Sequence, residues 1–166
     1  MAAKKEIGFG TRLAIGGIAG FVATMAMTSA MRRLHRRLPA KERYPLTPRE
    51  IVDQALDPPA AAAPDLTLIA HFAYGAGCGA MIALADPRIG RVGGALAGGG
   101  VWLASYMGWI PAFGVLKPAT GHPFRRNAVM LGAHFAWGWS TSEAMRELIA
   151  ARETIFAAGP DRDAAR

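Results

Sequence analysis

What most constrains this chain is where its charges are missing. No Asp, Glu, Lys or Arg falls within residues 13–31, 66–85 or 92–116, and a further 15 uncharged residues run from 128 to 142. An α-helix rises about 1.5 Å per residue, so about 20 such residues cross a hydrocarbon core of about 30 Å. The first three runs reach that length; the fourth covers only about 22 Å. The pattern predicts an all-α, four-helix membrane bundle in one domain over residues 1–166, with spans at about 13–31, 66–85, 92–110 and 128–145. Hydrophobic residues make up 52% of the chain and charged residues 19%. Polar connectors and the many Ala and Gly in the spans hold the mean hydropathy to +0.19.

Within the spans one pentapeptide occurs twice, as His71-Phe72-Ala73-Tyr74-Gly75 and His134-Phe135-Ala136-Trp137-Gly138. A glycine-rich apolar run precedes each copy, Ile15 to Gly20 before the first and Val92 to Gly98 before the second. The duplication predicts two parallel two-helix repeats related by an axis along the membrane normal. Small residues four apart let helix backbones approach closely, so Gly16 and Gly20, Gly75 and Gly79, and Gly94 and Gly98 are the expected helix-packing positions.

The connectors carry the local signals. Pro39 ends the first helix, whose basic end Arg32-Arg33-Leu34-His35-Arg36-Arg37 lies beside the membrane. Thr47-Pro48-Arg49-Glu50 reads as a capping box with proline at the first helical position. It opens a short interfacial helix over 48–56, stopped by Asp57-Pro58-Pro59. Asp65 and Asn127 stand as N-caps of the second and fourth spans. Asp86 to Gly90 is too short to do more than turn, which makes spans two and three antiparallel neighbours. Trp102, Tyr106, Trp109 and Phe113 form one aromatic stripe at helical spacing, and Pro111 kinks or ends that helix. Residues 160–166 read as a disordered tail.

Lys4, Lys5 and Arg12 ahead of an apolar run resemble a signal peptide, with Thr28-Ser29-Ala30 as a cleavage site. The run is long for that purpose and Arg32-Arg33 follows it as a stop-transfer signal, so a retained helix is expected. The net charge of +7 sits beside the apolar runs. This placement fits anionic lipid headgroups, contacted by Arg32, Arg33, Arg36, Arg37, Arg125 and Arg126, and not nucleic acid. Lys and Arg divide almost evenly between the two sides; the arginines nearest the helix ends favour the first and third connectors as cytoplasmic. Cys78 is the single cysteine, so no intramolecular disulfide can form.

Ionisable groups inside a span default to a functional reading. His71 and His134 at matching depth could ligate a haem iron from both faces, or each could bond a carbonyl or hydroxyl and lock the bundle. No other His, Cys or carboxylate stands at ligand spacing in the spans, and no nucleophile motif is present. The preferred expectation is therefore no cofactor, no metal and no catalysis. The role is that of a structural or interaction subunit, with a homo-oligomer or a larger membrane complex as its setting. A bis-histidine haem protein and an oligomeric transporter or channel are the alternatives.

The glycine-rich first helix (Gly16-Gly17-Ile18-Ala19-Gly20), the connector Tyr44-Pro45-Leu46-Thr47-Pro48-Arg49-Glu50 and the run from His71 to Gly79 together resemble the YagU-like family of small bacterial inner-membrane proteins. The resemblance covers roughly residues 10–140. It implies a multi-pass inner-membrane location and carries over no functional residues.

Overall fold

The computed structural model describes residues 6–159, which are helical with no strand among them. The elements are α1 (Phe9–His35), α2 (Thr47–Leu56), α3 (Ala63–Ala85), α4 (Arg91–Leu103), α5 (Ile110–Ala112) and α6 (Phe124–Glu153), with a π-helical segment, Ala104–Trp109, joining α4 to α5. The tail expected to be disordered lies outside the described residues. α1, α3 and α6 outrun their apolar stretches, because polar residues continue a helix as readily as apolar ones once it has started. Two helices, α1 and α3, are long and apolar enough to cross a membrane.

The helices lie in the order α3, α1, α6, α4. α1 packs against both α3 and α6, and α6 packs against α4. Glycine sets both outer contacts. A Cβ on Gly16 would lie 2.8 Å from the Ala80 Cα, and one on Gly20 would lie 2.9 Å from the Gly79 Cα. In the other pair, a Cβ on Gly94 would lie 2.7 Å from the Ser142 Cβ, and one on Gly138 would lie 2.9 Å from the Gly98 nitrogen. No side chain fits at these points, so the backbones touch directly. The middle contact is different. Ala23, Met27 and Met31 of α1 meet Met130, Ala133 and Trp137 of α6 in an ordinary apolar core.

Four local expectations are corrected. Thr47 does not cap α2: the N-cap is Leu46, and the Thr47 hydroxyl instead donates to the Tyr106 hydroxyl at 2.8 Å. Asp65 and Asn127 fall inside the first turns of α3 and α6, whose N-caps are Ala62 and Pro123. Asn127 donates instead to the Ala119 carbonyl at 2.6 Å. The stretch from Val92 to Ile110 is not one regular helix. Pro111 has no N–H for the Met107 carbonyl and its ring crowds that carbonyl, and the chain responds with the π-helical segment and a non-helical Gly108 at φ −109°, ψ −106°. The irregularity breaks the aromatic stripe. Trp102 and Tyr106 stay paired at 5.9 Å between ring centres, while Trp109 turns to Tyr74 at 6.1 Å and Phe113 is 78% exposed.

The fourth correction positions the site. The turn at residues 86–90 makes α3 and α4 antiparallel, yet they do not pack along their length. They splay, and α2 lies across one end of the gap. Its Ile51 packs on Tyr106 and Ile110, and its first turn is tied to the π-helical segment by the Thr47–Tyr106 bond.

Candidate functional site

The gap between α3 and α4 is a cavity of about 210 Å³. Its walls are α3 and α4, α1 and α6 form its floor, and the start of α2 covers one end. Among the described residues no Asp, Glu, Lys or Arg lines it. Two bonds cross the splayed seam. Ser105 gives its proton to the Val101 carbonyl at 2.7 Å, so the Tyr74 hydroxyl donates to Ser105 Oγ at 2.7 Å. Tyr74 Oη then accepts from Trp109 Nε1 at 3.3 Å. The Pro111 irregularity is what brings Trp109 round to this position.

Both repeated histidines line this one cavity, along with Tyr74 and Trp137 from the same pentapeptides. Their surroundings differ. His134 is buried, with Nδ1 2.8 Å from the Met130 carbonyl one turn back on its own helix. His71 Nε2 is buried and has no hydrogen-bond partner among the described residues, and the same holds for Trp102 Nε1 on the opposite wall. Trp137 donates across to the Gly20 carbonyl at 3.2 Å, an oxygen that also accepts from Thr24 at 2.8 Å. Gly20 thereby joins three helices, through its missing side chain to α3 and through its carbonyl to α6.

The cavity is smaller than the ~300–1,000 Å³ of sites for drug-sized ligands, and the haem macrocycle is larger than such ligands. Among the described residues no group of three His, Cys, Asp or Glu could hold a metal ion. Ser142 and Thr141 are buried and spend their hydroxyls on the carbonyls of Trp139 and Trp137 at 2.8 Å each.

One expected headgroup contact is also corrected. Arg32, Arg33, Arg36, Arg37 and Arg125 are exposed at the connector end of the bundle, whereas Arg126 is 1% exposed. Its guanidinium donates to the carbonyls of Glu42, Tyr44 and Pro45 at 3.3, 3.0 and 2.8 Å and to Glu50 Oε2 at 3.2 Å. The Tyr44 ring lies 3.6 Å from its central carbon. A planar fork of five donors suits such a set of acceptors. Glu50, the other half of the expected capping box, is thus committed to Arg126. At the opposite end Glu143 receives a two-pronged contact from Arg91 of α4 at 2.7 and 2.9 Å, and Arg146 joins it at 2.6 Å.

Sequence reasoning missed Trp102 and Trp137, reading the first as part of a stripe and the second as the variable letter of a repeat. The signal was present in that tryptophan N–H groups in apolar runs must find acceptors. No family model, curated protein or solved structure matches the chain.

Proposed function

We propose that this chain is a multi-pass protein of the bacterial inner membrane, a four-helix bundle acting as a structural or interaction subunit without catalysis. One observation carries the reading: large apolar residues face outward on all four long helices, over two outer seams set by glycine. Ile18, Phe21, Val22 and Met25 of α1, Leu68, Ile69 and Met81 of α3, Val92, Leu96 and Leu103 of α4, and Phe135 and Trp139 of α6 are exposed, while glycines bring the backbones together at the α1–α3 and α4–α6 seams. A water-soluble bundle buries its large side chains, because burying one contributes about 1.5–3 kcal/mol. In lipid no such gain exists, and close backbone packing takes its place. α4 reaches span length only through its π-helical extension and α5, and α6 through its full run.

Two parallel repeats are part of the proposal. Gly20 sits against Gly75 and Gly79, and Gly94 sits against Gly138 and Ser142, so matching positions of the two pentapeptide helices meet a glycine of the preceding helix. The exposed arginines of the connector end suit anionic headgroups. The resemblance to the YagU-like family points the same way and belongs to the proposal. A transporter or channel is not favoured by any specific observation.

Fractionation tests the placement. The protein is expected in the membrane pellet after alkaline carbonate extraction, soluble only with detergent. In a Cys78→Ala background, single cysteines at Ala61 and Ala85 are expected to label from opposite sides with an impermeant maleimide. Recovery in the soluble fraction without detergent overturns the membrane reading, and same-side labelling overturns the four-span arrangement.

A further inference from the structure

We infer that the cavity between α3 and α4 is a binding site for a neutral, single-ring lipophilic molecule bearing a carbonyl oxygen. Size sets the first limit. A cavity of about 150 Å³ lined by apolar side chains holds benzene, so about 210 Å³ admits one substituted ring. Charge sets the second. With no Asp, Glu, Lys or Arg of the described residues in the lining, an ionic ligand would be desolvated without a counter-charge. The polar groups set the third. Trp102 Nε1 can only donate, is buried on the cavity wall and has no acceptor among the described residues. A carbonyl oxygen supplies what it lacks, and His71 Nε2 on the opposite wall offers a second donor or acceptor.

The two unpartnered groups distinguish this site from a packing gap. A defect in an apolar bundle would be lined by groups that ask nothing of an occupant, and each buried polar group left unmade costs more than a made bond contributes. Tyr74, Ser105 and Trp109 hold the seam by side chains alone. A ring can therefore pass between α3 and α4 when that bridge opens, with no backbone hydrogen bond between the two helices, among the described residues, to break. Access from the bilayer rests on the membrane placement proposed above; binding itself does not, and it is measured in detergent independently of fractionation.

The test is titration of purified, monodisperse protein with duroquinone, a tetramethyl-benzoquinone whose substituted ring does not take up thiols, followed by quenching of the cavity tryptophans. Durene has the same four methyl groups and ring but no oxygens, and it serves as competitor. Saturable quenching is expected, with durene about five- to tenfold the weaker binder, the worth of about one hydrogen bond. Trp102→Phe and His71→Leu are each expected to reduce that preference, read as the ratio of duroquinone to durene affinity within each variant. Equal affinity for the two rings in the wild-type protein overturns the proposal without recourse to any variant. Quenching that rises linearly with detergent loading, and so reports partition alone, overturns it too.

Discussion

The two copies of His-Phe-Ala-aromatic-Gly have nearly the same letters and opposite fates. In the second copy Trp137 is 2% exposed and bonded to a neighbouring helix, and His134 is bonded to its own. In the first, Tyr74 is 42% exposed and holds a seam, and His71 Nε2 has no partner among the described residues. The cause is the number of neighbours. α6 lies between the two long helices α1 and α4, whereas α3 has one long neighbour, α1, beside the short α2, and stands away from α4. A repeated motif thus fixes which face of a helix is slim; the neighbours decide whether its polar members are satisfied or left for a ligand. The copy with full packing became structure, and the copy beside a gap kept chemistry to spare.

Substitutions in matched pairs can sharpen or break this contrast, with unfolding by SDS in mixed micelles as the common measure. The widest difference is expected at the aromatic position. Trp137→Ala empties the α1–α6 core and should cost about 3–5 kcal/mol, against about 1 kcal/mol for Tyr74→Ala at the exposed seam. Similar losses at both positions would show that the first copy is as tightly held as the second. The glycines come next. A methyl at Gly138 meets the backbone of Gly94 and Gly98, which cannot yield, while one at Gly75 meets chiefly the Thr24 side chain. Gly138→Ala is expected to cost about 3 kcal/mol and Gly75→Ala about 1 kcal/mol.

The smallest expected effect has the most informative sign. His134→Leu should lose about 1 kcal/mol with its bond to the Met130 carbonyl. His71→Leu removes a group without a protein partner, and should be neutral or slightly stabilising by the same measure. A clear loss on His71→Leu would mean that this histidine is satisfied in solution, and the ligand site would lose half of its polar character.

Much of the bundle was legible because its signals are local. Apolar runs and prolines delimit the helices, and glycines four apart mark where backbones meet. What was hidden depended on partners far along the chain. The letters of Thr47-Pro48-Arg49-Glu50 satisfy a capping rule, yet Thr47 bonds Tyr106 and Glu50 bonds Arg126, because at these sites a distant hydroxyl and guanidinium win over the helix's own N–H groups. Arg126 looked like its neighbour Arg125 on composition alone. The face of α6 that each occupies, which the sequence does not reveal without the connector's path, separates a buried hub from an exposed charge. The cavity was illegible for the same reason. A short turn between apolar runs implies contact, and only the π-helical segment before Pro111 and the placement of α2 hold α3 and α4 apart.

The Arg126 hub also has a consequence for biogenesis. Its partners lie 76–84 residues earlier in the chain, so the first connector leaves the ribosome long before the residue that fastens it. α1 and α3 can pair through their glycines as soon as both are made. The Tyr44 carbonyl has His35 Nε2 of α1 within 3.1 Å, while those of Glu42 and Pro45 are left to water until α6 is synthesised and delivers the guanidinium. The last long helix to emerge is therefore the latch of the whole molecule. A chain arrested before Arg126 holds a paired α1 and α3 whose connector remains open to a protease, and extending the arrested chain through α6 closes it.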